Sequence, residues 1–139
     1  MELTNKDSNA IKQRSTKQRI AIAAALTLTK DFVSAQDLHF KLKSNGQVIS
    51  LSTVYRSLAT MSELNEVDVI LREDGEALYR SCSQEHHHHL VCSSCGKTNE
   101  ITAELVEAWA HDIAAAHGFK NISHTLEIMG TCATCATHQ

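Results

Sequence analysis

Three stretches near the start of the chain carry apolar side chains at helical spacing before any strand pattern begins. Ile20, Ala23, Ala24 and Thr27 fall at helical spacing and predict a helix over 16–28, with Ser15 or Thr16 available to cap it. The second helix has a clearer start. Ser34 can cap it, Asp37 sits three residues on, and Val33 and Leu38 occupy the two staple positions. It is expected to reach Ser44, where Asn45-Gly46 offers a left-handed exit. A third helix opens near Ser50 or Ser52 and turns Val54, Leu58 and Met61 inward. The period then changes: 67–72 alternates as a strand, 73–76 is a hairpin turn, and 77–81 returns. Three helices followed by a two-stranded hairpin is the order of a winged helix-turn-helix.

Beyond residue 81 the pattern is mixed. Residues 89–92 read as a short strand, and 102–117 as an amphipathic helix that buries Leu105, Trp109, Ile113 and Ala116 and stops at Gly118. Residues 121–129 read as a last strand with Ile122, His124, Leu126 and Ile128 on one face. The expected fold class is α+β, a winged helix over 1–81 followed by a small α/β domain over 82–139.

Composition sharpens this division. The 139 residues fit one medium domain or two small ones, and 42% hydrophobic residues exclude a disordered chain. No run of about 18 apolar residues is present, and residues 1–17 are polar, which points to a cytoplasmic chain without membrane partners. Residues 1–81 hold 11 Lys and Arg against 10 Asp and Glu, whereas 82–139 hold 2 against 6. All five Cys and every His except His39 lie in the acidic part. In a reduced compartment such a set reads as metal ligands before it reads as disulfides.

The basic part suits nucleic acid. On a winged-helix reading the third helix enters the DNA major groove and presents Ser52, Thr53, Tyr55 and Arg56. Tyr55 offers a ring for a thymine methyl and a hydroxyl for phosphate, and Arg56 a phosphate clamp. Lys12, Arg14, Lys17 and Arg19 can reach the backbone or the minor groove, although a four-charge cluster is more often a solvated face. With only 4% aromatic residues, duplex DNA is preferred over a stacked single strand.

The acidic part carries the stronger chemistry. Cys92-Ser-Ser-Cys95-Gly and Cys132-Ala-Thr-Cys135 are two CxxC pairs separated by 36 residues, the spacing with which four thiolates close a tetrahedral zinc site. Upstream runs Cys82-Ser-Gln-Glu-His86-His87-His88-His89. If extended, it points His87 and His89 one way and His86 and His88 the other, so one run can feed two sites. A loose metal-scavenging tract is the plainer alternative. Asp68 lies opposite Val67 and Val69 on its strand and can face Cys82. Glu107 and His111 stand one turn apart on the second-half helix. On residue type alone, His124 reads as a hydrogen-bonded core histidine and His111 and His138 as solvated.

Together these residues resemble the ferric uptake regulator superfamily of bacterial metal-sensing repressors. The resemblance rests on Arg-Ser-Thr-Lys-Gln-Arg at 14–19, Ser-Ala-Gln-Asp-Leu-His at 34–39 and Ser-Thr-Val-Tyr-Arg-Ser-Leu at 52–58. The His86–His89 run into Cys92-x-x-Cys95-Gly-Lys, and Gly130-Thr-Cys132-Ala-Thr-Cys135, complete it. Within the superfamily the chain looks most like the zinc uptake regulator branch.

That resemblance implies a homodimer whose C-terminal domain dimerises. It implies up to three zinc ions per chain: a structural one on Cys92, Cys95, Cys132 and Cys135, a regulatory one on Asp68, Cys82, His87 and His89, and an additional one on His86, His88, Glu107 and His124. The Cys82 thiolate tilts the second set toward zinc and away from iron or manganese. The implied partner is a double-stranded operator, an AT-rich inverted repeat, at which the zinc-loaded dimer represses zinc-acquisition genes. The rivals are a sister sensor for iron, manganese or peroxide, a zinc store indifferent to DNA, and a thiol oxidoreductase using one CxxC. No nucleophile–base pair stands outside the ligand sets, so neither catalysis nor a small-molecule substrate is expected.

Overall fold

The computed structural model describes residues 5–81 and 87–138. They form two compact units, Met1–Cys82 and Ser83–Gln139. The first unit contains α1 (Asn5–Leu28), β1 (Val33–Ser34), α2 (Ala35–Ser44), α3 (Leu51–Glu63), β2 (Val67–Leu71) and β3 (Ala77–Ser81). Ser34 Oγ accepts from Asp37 N–H at 3.1 Å and Ser50 Oγ from Thr53 N–H at 3.2 Å. Ser50, rather than Ser52, therefore caps α3. Each cap is worth about 1 kcal/mol.

Both helices end the same way. Gln47 N–H returns to Leu42 O at 2.9 Å and Glu66 N–H to Met61 O at 2.8 Å. The residue between cap and return is left-handed in each case, Gly46 at φ 80° and Asn65 at φ 55°. The wing follows: β2 and β3 pair antiparallel from Val67↔Ser81 to Leu71↔Ala77. β1, which the sequence pattern did not predict, adds itself to the other edge of β3. Ile22, Leu26, Leu38, Leu42, Val54, Leu58 and Met61 build the core between the three helices. A fully buried leucine such as Leu38 or Leu58 contributes about 1.5–3 kcal/mol.

Two expectations for α1 are corrected. It begins at Asn5 rather than at 16, and Thr16 Oγ1 bonds back to Lys12 O at 2.9 Å inside the helix instead of capping it. The added turns carry only Ala10 and Ile11 among polar residues, too few to leave an apolar period to read. The buried face is that of Ile22 and Leu26, while Ile20 is 64% exposed. With Ile or Ala at every position from 20 to 25, more than one stripe fits the spacing.

The second unit holds β4 (His88–Cys92), β5 (Thr98–Ile101), α4 (Glu104–Ala116), β6 (Glu127–Gly130) and α5 (Ala133–Ala136). β4 is the middle strand, antiparallel to β5 and parallel to β6. A parallel return needs a crossover, and α4 lies in it. Phe119 N–H bonds Ala114 O at 2.8 Å past Gly118, which ends α4 where the sequence placed its stop.

Here too the expectations are corrected. The Leu105, Trp109, Ile113 and Ala116 stripe is exposed, Leu105 at 87% and Trp109 at 63%; Val106, Glu107, Ala110 and Ala114 are the more covered positions. Periodicity identified side chains that share a face, but nothing among the described residues covers it. The last strand begins at Glu127 rather than 121, because the pairing available along β4 starts at His89. Ile122, His124 and Leu126 are half-buried without being in a strand, and Ile128 is exposed. No described helix is long and apolar enough to cross a membrane.

Candidate metal centres and nucleic-acid face

The four cysteines of the second unit are brought together by two tight turns. After β4 the chain reverses at Gly96, whose φ of 79° is left-handed and whose N–H bonds Cys92 O at 2.9 Å. After β6, Cys132 takes the cap position of α5. The four Sγ atoms lie within 4.8 Å of one another, with Cys95 and Cys132 3.8 Å apart. A sulfur tetrahedron around zinc, with bonds of about 2.3 Å, has edges of about 3.8 Å, so these thiols fit that ion.

Their protons are unevenly held. Cys92 Sγ accepts from Cys132 N–H at 3.4 Å, and this bond, followed by one from the Cys95 backbone, lowers its thiol to about 6. Cys135 is pushed up to about 12, first by its side-chain hydrogen bond to Cys132 and then by that to Cys95. Ligation requires thiolates, so metal affinity rises with pH as the protonated thiols yield their protons.

A second cluster lies where β4 faces α4. Glu107 Oε1 is 2.6 Å from His88 Nε2 and 3.0 Å from His124 Nε2. His88 is 2% exposed and the two rings stand 5.3 Å apart. Two imidazole nitrogens and a carboxylate oxygen that converge in this way can be bridged by N–H hydrogen bonds or can hold a cation. His86, assigned by resemblance to the same set, lies outside the described residues. His111 and His138 are exposed.

His89, next along β4, has different partners. Its ring meets that of His87 edge-on at 4.6 Å, and its Nδ1 is 3.1 and 3.2 Å from the two carboxylate oxygens of Glu127 on β6. Nothing local in the sequence singled out Glu127, since its register with His89 spans 38 residues. Of the other residues assigned to this set, Asp68 is half-buried on β2 opposite Arg80, and Cys82 lies outside the described residues.

In the first unit, α1 and α3 enclose a groove of about 400 Å³ lined by Arg14, Gln18, Arg19, Thr53, Arg56, Ser57 and Thr60. Arg56 Nη2 donates to Thr53 Oγ1 at 3.2 Å, and Ser50 Oγ donates to the same hydroxyl at 2.8 Å. The cap of α3 thus anchors Arg56. Arg19 Nη2 donates to both carboxylate oxygens of Glu66 at 2.8 Å. Ser52, Tyr55, Lys12 and Lys17 are exposed. The Tyr79 phenol on β3 is shifted up, by burial first and then by the nearby Tyr55 phenol.

The ferric uptake regulator family model matches residues 10–129. Over 122 residues, 88% of the chain and 94% of the relative, the sequence is 52% identical to a zinc uptake regulation protein of Mycobacterium tuberculosis. Among solved structures it is similar to FurB from M. tuberculosis, described as a zinc uptake regulator, at 50% identity and a TM-score of 0.59, covering 91% of this chain and 98% of that one. It is also similar to the Vibrio cholerae ferric uptake regulator, at 30% identity and a TM-score of 0.73, covering 91% and 100%.

Proposed function

From the premise that this chain belongs to the ferric uptake regulator family, we propose that it is a zinc-responsive transcriptional repressor. The extended likeness to a zinc uptake regulation protein is the observation that carries the choice of metal. The donor chemistry supports it, because a ligand set containing a thiolate favours zinc over iron or manganese.

Three ligand sets are assigned. Cys92, Cys95, Cys132 and Cys135 hold a structural ion. Asp68, Cys82, His87 and His89 form the regulatory set, and His86, His88, Glu107 and His124 an additional one. Zinc, when bound, supplies fixed ligand geometry and no redox chemistry. The regulatory set draws Asp68 from the wing hairpin and its other members from the chain that follows. Filling it restricts how the two units can be oriented, which selects a DNA-competent arrangement from a mobile population.

On the DNA side, Arg14, Arg19 and Arg56 contact phosphates, with Lys12 and Lys17 beside them, while Ser52, Thr53 and Tyr55 face the bases. Thr53 already binds Arg56, so it orients that guanidinium as much as it reads a base. The exposed Trp109, Ile113 and Phe119 of the second unit supply the apolar surface that a homodimer covers. Two chains related by a two-fold axis then match an inverted-repeat operator at zinc-acquisition genes.

Selection from a randomised duplex pool at buffered high and low free zinc tests this. One related inverted repeat is retained at high zinc only. Equal, unselective retention at both levels would reject the repressor in favour of a zinc store, and selection driven by iron or manganese would reassign the metal.

A further inference from the structure

The geometry points to Glu127 as the positioning residue for His89, a role that rests on the reading of His89 as a member of the regulatory set. Parallel pairing of β4 with β6 puts Glu127 directly across from His89. The imidazole is 2% exposed and its Nδ1 lies 3.1 and 3.2 Å from the two carboxylate oxygens. An ionised carboxylate only accepts, so Nδ1 carries the proton and donates it. The lone pair is thereby assigned to Nε2, the nitrogen left to serve an ion.

Two degrees of freedom are removed at once. The tautomer is fixed, and the ring can no longer turn about its χ2 bond without breaking a hydrogen bond in a buried place. The edge-on contact with His87 at 4.6 Å depends on that ring angle, so Glu127 sets the mutual orientation of two imidazoles in the set. A carboxylate behind a ligating histidine is the usual device for this purpose, and its removal typically costs about 10–100-fold in metal affinity. The carboxylate that meets His88, Glu107 on α4, differs in role, because it converges with His88 and His124 as a member of their own ligand set.

The test uses the full chain with its four-cysteine site loaded. Zinc affinity of the regulatory set is measured by chelator competition for Glu127→Ala, Glu127→Gln and His89→Ala, and the His89 tautomer is read from its imidazole ¹⁵N shifts in protein whose regulatory set is empty. Glu127→Ala should weaken zinc by about 10–100-fold and mix the two tautomers. Glu127→Gln, which can still accept from Nδ1–H, should retain the tautomer and lose less. An unchanged affinity in Glu127→Ala alongside a weakened His89→Ala overturns the role of Glu127. Equal losses in Glu127→Ala and Glu127→Gln with the tautomer intact overturn it in another way, by making the carboxylate itself a ligand. If His89→Ala changes nothing, the ligand-set reading fails and the positioning role falls with it.

Discussion

Removal of zinc from the four-cysteine site should unfold residues 83–139 and leave the winged helix intact. The buried apolar residues divide very unequally between the units. Among the described residues, only Val91 and Cys92 of the buried hydrophobic side chains belong to the second unit, and all the others belong to the first. The second unit instead buries His88 and His89, polar groups whose burial costs free energy unless they are bonded. Leu105, Trp109, Ile113 and Phe119 contribute little within one chain because they remain exposed.

A structural zinc site supplies about 10–16 kcal/mol, comparable to or larger than the whole stability of a typical domain. The expected result after strong chelation, or in Cys132→Ser, is loss of amide dispersion over residues 83–139 by NMR. The signals of Ile22, Leu38 and Leu58 should persist, since their core contains no ligand. A chelated protein that keeps dispersed signals for β4 and β6 would show that the four thiols are not what holds the unit together.

The second large effect is expected from Cys82→Ser. A serine hydroxyl stays protonated at neutral pH and is a poor substitute for a thiolate on zinc. The regulatory set would shrink to Asp68, His87 and His89, a set without sulfur. The variant should fold and keep the zinc of the four cysteines. DNA affinity at high zinc should fall to the level seen at low zinc, a loss of about 5–150-fold if the coupling is the usual 1–3 kcal/mol. Fluorescence anisotropy with a labelled operator duplex measures it directly. Normal zinc response in this variant would remove Cys82 from the set.

How much the sequence revealed depended on whether the relevant partner was close along the chain. Ser34 with Asp37, and Ser50 with Thr53, are local pairs, and both caps were legible apart from the choice between Ser50 and Ser52. The wing hairpin is equally local. The extent of α1 was not legible, because its first turns hold only Ala10 and Ile11 as apolar residues and a helix without an apolar stripe leaves no period. The α4 stripe was recognised as one face but assigned to the interior, since periodicity does not say whether the covering surface belongs to the same chain. The strand expected over 121–129 had the right alternation through Leu126 and lacked a neighbour along most of its length.

The candidate site followed the same rule. The CxxC pairs announced themselves by spacing, whereas Glu127 and Glu66 reach their partners only through the tertiary fold. The resemblance to a family supplied ligand groupings that spacing left open, notably the assignment of Glu107 and His124 to one set.

The bond from Arg19 to both oxygens of Glu66 has a consequence for how the protein moves among DNA sites. Each phosphate neutralised by a free cation releases condensed counterions and adds about 0.9 to the slope of log affinity against log salt. An arginine already neutralised by its own carboxylate contributes less than a full unit, since an approaching phosphate must share it. On the reading that this groove is the DNA face, it would hold arbitrary duplex more loosely than its three arginines suggest. A repressor with such a grip would leave non-specific DNA quickly and spend less of its time away from an operator.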